Sequence, residues 1–470
     1  MKSYQVRIWE IRAGKAKTKR TWEVRWKVAH VPKSKTYTNK EQAKNFLSDL
    51  RQAARNGEAF DTETGLPDSM VEAEEEARRT WFEFAKAYVL AYWPDAAAKT
   101  RDSLTDALST VTPVLVEDDA GEGPAANVMR AALRTVAFLP EARRAEPAPE
   151  IAAALKWLER WSLPMPEVAK SDVAQRGLSA LGLRMDGKKA ATNTYRRKRA
   201  VFFNALQYAV DLGEIDENPL TKIRTKRKKG RKTSSVKKVD RRTLVNTRQG
   251  RELLAAVSYV GRTQGPQMRG LFACMYYGAL RPEETAGLRE EDCDFLKGDD
   301  EEWEGRWGTM NLTNARPQVG KRWTNSGEAF DERGLKHRDD DDVRPVPAPP
   351  VLVRILREHV QEFGAAPDGR LFRTRNGKPF SYTEVNRVLQ VARRLAFPPD
   401  KQASLLANTP YALRHAAVST QLNAGVSPQN VAERAGHSVE VLLKVYAGCL
   451  DGDTERMNKL IEAALNPDDD

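Results

Sequence analysis

Tyr411-Ala412-Leu413-Arg414-His415, then Gly436-His437-Ser438, then Tyr446: this stretch near the end of the 470-residue chain decides how the rest is read. Locally it spells three short helices. Arg414 opens an apolar-striped helix with Ala417, Val418 and Leu422 that ends at Gly425. Ser427 caps the next, with Pro428 in its first position, and Gly436 closes it, so His437 emerges at a helix end. Ser438 starts a third helix, expected to carry Val441, Leu442 and Val445 on its core side and Tyr446 beyond. An arginine, a histidine 23 positions on and a tyrosine nine further are thus mounted on consecutive, well-punctuated elements.

A second stretch runs Tyr276-Tyr277-Gly278-Ala279-Leu280-Arg281-Pro282-Glu283-Glu284. A helix over Leu271 to Tyr277 stops at Gly278, and Arg281 sits in the turn before another helix that opens with Pro282 and two acids. Glu284 and Glu433 are read as structural acids, pairing a nearby arginine or capping, since carboxylate-metal chemistry needs several acids converging. A third stretch is Leu335-Lys336-His337-Arg338, four aspartates from Asp339 to Asp342, then Val343-Arg344-Pro345-Val346-Pro347. It reads as a β-hairpin with an acidic tip that presents Lys336 on a strand.

In this order, the three stretches resemble the catalytic boxes of the tyrosine recombinases, the phage-integrase family. Gly278, Arg281 and Glu284 match a Gly-x-x-Arg-x-x-Glu setting, Lys336 precedes an Arg-x-Val-Pro-like strand, and Arg414, His437 and Tyr446 keep their spacing. The resemblance implies that Arg281 and Arg414 are the catalytic arginines, Lys336 the catalytic lysine, His437 the site histidine and Tyr446 the nucleophile. One position departs from the pattern. Three residues before Arg414 the family usually has histidine, and here stands Tyr411; either Tyr411 hydrogen-bonds the phosphate or His415 does more than pack behind Arg414.

These residue types suit attack on a phosphodiester, where charge must be neutralised through a pentacoordinate transition state. Arginine forks donate bidentate, charge-assisted hydrogen bonds and keep their protons. His437 can add a donor to a non-bridging oxygen, and Lys336 can protonate the departing 5′ hydroxyl. Tyr446 would leave a 3′-phosphotyrosyl link that conserves bond energy for rejoining. No cofactor is required, and His415, His437 and Cys449 lack the paired spacing of metal ligands.

The composition agrees with an anionic partner: 77 Lys and Arg against 65 Asp and Glu give a formal charge of +12. At this length two or three domains are expected, and 40% hydrophobic residues suffice for several small cores. Cys274, Cys293 and Cys449, odd in number and widely spaced, argue against a disulfide framework. The first residues lack the apolar core of a signal peptide, and no run approaches the roughly 18 apolar residues of a membrane span. The expected place is the cytoplasm of a bacterial host, at the nucleoid, with no membrane partner.

The expected fold is multi-domain and mainly α with small antiparallel β-sheets. Residues 1–60 alternate as strands, Tyr4/Val6/Ile8 and Trp22/Val24/Trp26, followed by a helix capped by Asn39 with Ala43, Phe46, Leu47 and Leu50 on its apolar face. With Lys17, Lys19 and Arg20 in its turn, this sheet resembles the arm-type DNA-binding domains that begin many integrases. Residues 75–222 read as a helical bundle, similar to a core-site-binding domain, with stripes Trp81/Ala85/Tyr88/Tyr92, Leu104/Leu108/Val111 and Val128/Leu133/Val136/Leu139. Its last helix, Thr192 to Leu212, opens with Arg196, Arg197 and Lys198, which could face phosphate. Residues 223–242 form a basic linker whose Lys226, Arg227, Lys228, Lys229, Arg231 and Lys232 would follow a phosphate backbone. Residues 243–465 are then an α-rich catalytic domain with a β-hairpin.

The function implied is a site-specific integrase acting on duplex DNA attachment sites as a homotetramer, with an excision factor or a host DNA-bending protein as further partners. A chromosome-dimer resolvase, a type IB topoisomerase and a non-catalytic DNA-binding relative share parts of the pattern. The basic sheet domain favours the integrase.

Overall fold

The computed structural model describes residues 2–13, 21–71, 79–223, 238–335 and 342–446, with 458, 459, 461, 462 and 465. Lys17, Lys19 and Arg20, the basic run from Lys226 to Lys232, Lys336 and Cys449 lie outside the described residues. The chain divides into two compact units, Met1–Lys226 and Arg227–Asp470.

The first unit begins with a small antiparallel sheet. Strand β1 (Lys2–Ser3) is followed by β2 (Val6–Ile8), β3 (Arg12–Ala13), β4 (Trp22–Val28) and β5 (Val31–Tyr37), with β4 pairing β2, β3 and β5. The period-two pattern sends Val24, Trp26 and Val28 to one face, where helix α1 (Lys40–Arg55) covers them with Ala43, Phe46, Leu47 and Leu50. Asn39 caps α1 by accepting from Glu41 N, as its sequence position leads one to expect. Arg25 and Lys27 fall on the other face, where the guanidiniums of Arg7 and Arg25 lie 5.7 and 5.8 Å from the Trp9 ring. The core runs past residue 60: β6 (Phe60–Asp61) pairs with β1, and Leu66, Met70 and Val71 join the apolar cluster.

The helical part comprises α2 (Trp81–Tyr92), α3 (Ala98–Val111), α4 (Ala126–Ala132), α5 (Pro149–Trp161), α6 (Ser171–Leu181) and α7 (Thr192–Asp211). Trp81, Ala85 and Tyr88 are buried, but Tyr92, expected on the same stripe, is 45% exposed and leans its ring on Tyr88 and Tyr208. The third stripe is also displaced. Leu133–Ala137 continues α4 as a π-turn, whose wider turn moves later side chains out of phase. Before the turn Met129 and Ala132 are buried and Val128 is half-exposed; within and after it Leu133, Phe138 and Leu139 are buried while Val136 stays half-exposed.

In the second unit, α8 (Thr247–Ser258) packs on α12 (Tyr382–Ala396) and on α9 (Gln264–Tyr277), which also contacts α11 (Pro350–Phe363) and α13 (Pro410–Asn423). Cys274 and Cys293 are buried free thiols in this core. Helix α10 (Pro282–Gly287) follows α9, and α14 (Pro428–Ala435) and α15 (Val439–Tyr446) complete the described helices of the site. Most of the expected hairpin, Lys336 to Asp341, lies outside the described residues. Strand β7 (Gly308–Leu312) pairs with β10 (Arg344–Ala348), and β8 (Asn314–Ala315) pairs with β9 (Arg333–Gly334). The described strands on either side of Lys336 thus each bond to one part of the 308–315 stretch.

Candidate active site

Arg281 stands as the N-cap of α10, after a turn in which Ala279 adopts φ +55°, a conformation unusual for a residue with a Cβ. Glu284, one helical turn on, accepts from Arg281 N at 2.8 Å and from Arg281 Nη1 at 2.5 Å, so the acid caps the helix and holds the arginine at once. The same carboxylate receives a bidentate pair from Arg344, Nη1 to Oε1 at 3.0 Å and Nη2 to Oε2 at 2.7 Å. Arg414 Nη1 lies 3.9 Å from Glu284 Oε2. One buried carboxylate therefore faces three arginines, leaving two positive charges uncompensated by it.

Arg414 is fully buried in the second turn of α13. Its guanidinium donates to the carbonyls of Ala279 and Ala435 and lies 3.0 Å from His437 Nε2, tying together the turn before α10, the end of α14 and the histidine. Arg281 Nη2 donates to Gly436 O at 2.6 Å. Gly436 closes α14 at φ +61°, ψ +48°, and a Cβ there would run into the Arg344 guanidinium and sit 3.1 Å from Arg281 Nη1. Both the left-handed turn and the crowding require glycine.

Tyr446 ends α15 and is completely buried, with its hydroxyl 2.7 Å from His415 Nδ1. The helix buries Leu442 and Tyr446; Val441, expected on the core side, is 42% exposed, because its phase is set by Leu442 and Tyr446 four residues apart. Tyr411, His415 and His437 are partly exposed and form the rim above Arg414 and Tyr446. The Tyr411 ring meets His415 edge-on at 4.9 Å and lies 6.0 Å from the Arg414 guanidinium carbon. The backbone N–H of Val239, just after the described chain resumes at Lys238, donates to Val445 O at 2.9 Å, and Val239 packs against the apolar cluster that includes Leu442 and Tyr446.

The electrostatics follow from this crowding. Burial pushes Glu284 upward, but Arg344, Arg414 and Arg281 together hold it down at about 2. Burial lowers His437 to about 3, helped by the positive charges of Arg414 and Arg281, and lowers His415 to about 4, helped by Arg414. Both rings are neutral at pH 7, able to donate from one nitrogen and accept on the other.

Arg281, Arg414, His437, Tyr446, Tyr411 and His415 are thus gathered in one place. Arg344 belongs with them and was missed as a site residue. The signal was present: Arg344, Val346 and Ala348 alternate with Pro345 and Pro347, which puts the arginine in phase with the buried face of its strand. Elsewhere, Arg196 and Arg197 are exposed on α7, but Lys198 is turned into the bundle, its Nζ 2.8 Å from Thr110 Oγ1 and 3.2 Å from Asp106. Lys198 stands four and seven residues before the buried Phe202 and Ala205, so it shares their stripe and is not offered to solvent.

No family model matches the chain, and no curated protein does. Among solved structures, the chain is similar to the Tn1549 transposon integrase in complex with circular intermediate DNA, at 18% identity over 68% of this chain and 95% of that one, TM-score 0.43. It is similar to the XerH site-specific recombinase bound to difH substrate, at 14% identity over 78% and 95%, TM-score 0.41. For the lambda integrase bound to DNA the values are 12%, 77%, 94% and 0.37.

Proposed function

We propose that the chain is a site-specific DNA recombinase of the integrase type, which cleaves and rejoins duplex DNA through a 3′-phosphotyrosyl intermediate. The observation that carries this reading is the cluster at Glu284: three buried arginines around one carboxylate, beside a buried tyrosine. Buried cations in excess of their counter-ions are expensive unless an anion completes them, and a phosphodiester has the charge and the planar acceptor edges that arginine forks fit.

On this reading the scissile phosphate enters at the rim of Tyr411, His415 and His437. Arg281 and Arg414 turn donors toward its non-bridging oxygens, preorganised by Glu284, Ala279 O, Ala435 O and Gly436 O. Neutral His437 adds a further hydrogen bond. Glu284 and Arg344 hold the clamp and do not touch DNA. Tyr446 attacks phosphorus, and Lys336 supplies the proton to the departing 5′ oxygen. The phenol is covered in the present conformation, so contact with phosphate requires α15 or the rim to shift.

The remaining assignments extend the same reading. Arg25 and Lys27 on the open face of the sheet, with Arg7 and Arg25 about Trp9, suit DNA reading by the first 71 residues. Lys17, Lys19, Arg20 and the run from Lys226 to Lys232 suit phosphate contacts, and the working unit is a homotetramer at paired attachment sites in a bacterial cytoplasm. Among the described residues no helix is long and apolar enough to cross a membrane.

The test is covalent capture on a nicked duplex library with randomised flanks. Wild type should yield adducts that map to Tyr446, and Tyr446→Phe should keep DNA binding and yield none. Adducts persisting in Tyr446→Phe would move the nucleophile elsewhere, and none from wild type would favour a non-catalytic DNA-binding protein.

A further inference from the structure

We propose that His415 receives the Tyr446 proton as the phenol attacks, a catalytic task carried by the residue next to Arg414 instead of by position 411. This rests on the recombinase reading above and adds the route of the proton. The geometry is direct. His415 Nδ1 and the Tyr446 hydroxyl are 2.7 Å apart, and the ring planes meet at 64° with centroids 5.5 Å apart.

Tyr411 is unsuited to the task. A phenol is a poor proton acceptor near neutral pH, and Tyr411 meets His415 by its ring edge. It flanks the imidazole and limits its rotation. His415 is fixed from below as well, because its neighbour Arg414 is anchored to Ala279, Ala435 and His437. The charged and titratable groups about the imidazole are Arg414 and Tyr411 on α13, Tyr446 on α15 and His437 at the end of α14. Burial, reinforced by Arg414, keeps His415 neutral at pH 7 and therefore able to accept. Of the two partners the phenol is the stronger acid, so its O–H donates to Nδ1.

The step balances. A bond forms between Tyr446 Oη and phosphorus, the bond from phosphorus to O5′ breaks, the phenolic proton moves to His415 Nδ1, and O5′ leaves with a proton from the general acid assigned to Lys336. Rejoining runs the same transfers backwards, with His415 returning the proton to Tyr446.

The experiment uses the full chain and the duplex recovered from the randomised library by wild-type capture, in single-turnover cleavage as a function of pH. A second substrate carries sulfur in place of the bridging 5′ oxygen, so that its leaving group needs no proton. His415→Ala and His415→Asn should each slow cleavage at pH 7 by roughly 10²-fold or more. The loss should persist on the sulfur substrate and shrink as pH rises toward the usual phenol range near 10. His415→Asn keeps an acceptor oxygen without useful basicity, so it reads the proton transfer even if the Ala variant folds poorly; thermal melting and DNA retention establish that it is folded. Rates within a few-fold of wild type, faster cleavage from a released tyrosine, or rescue by sulfur would each overturn the role of His415. Absence of any wild-type adduct would instead remove the recombinase reading beneath it.

Discussion

Each unit of the molecule gathers basic side chains around acids, and the two gatherings differ in kind. In the helical bundle, Asp102 and Asp106 are met by Lys99, Arg130, Arg134, Arg197 and Lys198, whose side-chain exposures run from 12% for Lys198 to 53% for Lys99. In the second unit, Glu284 is met by Arg281, Arg344 and Arg414, none more than 9% exposed. Both have more cations than anions. Water and salt screen the surplus in the bundle, so it stabilises modestly and asks for no ligand. The interior screens far less, so the surplus at Glu284 remains and, on the proposed reading, a phosphate completes it. Counting basic residues does not separate the two clusters; burial does.

Removing the central acid of each cluster tests this contrast most sharply. Glu284→Ala strands Arg344, which is 1% exposed, and should destabilise the second unit by about 3–5 kcal/mol in urea unfolding. Asp106→Asn should cost about 1 kcal/mol. Equal losses would erase the distinction.

A smaller set of differences should appear in cleavage. Arg414→Ala should slow single-turnover cleavage by roughly 10²-fold or more, the scale of one lost transition-state donor. Arg130→Ala, in the bundle cluster, should leave the chemical step near wild type.

Acid should separate the units next. His359, His415 and His437, all in the second unit, have folded pKa values below the ordinary histidine value, mainly through burial. They bind protons more readily when unfolded, so the stability they contribute is full above about 6.5 and falls as pH drops toward 4 and 3. Asp102 and Asp106 are also depressed, by their lysine and arginine partners against the effect of burial, but their contribution is lost only below the ordinary aspartate value of 3.8. Hydrogen exchange between pH 6.5 and 4 should therefore loosen peptides around α13 to α15 before those of α3. Simultaneous loosening would break the comparison.

The gentlest test is salt. If exposed Arg196 and Arg197 meet phosphates, changing either to Gln should flatten the slope of log affinity against log salt by roughly 0.9, whereas Lys198→Gln should leave the slope alone and lower thermal stability.

Much of this was legible in the chain because short-range chemistry wrote it. Asn39 marks the start of α1, and Ser427 and Gly436 mark the two ends of α14 through a cap and a left-handed turn, which places His437 directly after that helix. What could not be read came from two sources. Lys198, in phase with apolar residues on its helix, reads as surface until its half-buried partner Asp106 is known, and the alternation that buries Arg344 does not by itself name Glu284 as its partner. Residues paired across long separations, such as His415 with Tyr446, leave no periodic trace, and the π-turn at Leu133–Ala137 shifts the helical phase without a marker such as Gly or Pro. The pairing of 333–334 and 344–348 with one stretch depends likewise on residues distant in sequence.

The hydrogen bond from Val239 to Val445 has a mechanical meaning. Val445 O belongs to the last turn of α15, and its partner is supplied by the segment just beyond the basic run. The segment at Lys238 and Val239 and the residue beside Tyr446 are thus one backbone hydrogen bond apart, and Val239 also packs on the apolar cluster that holds Tyr446, so the end of the tyrosine helix is tethered to this segment through backbone and core together.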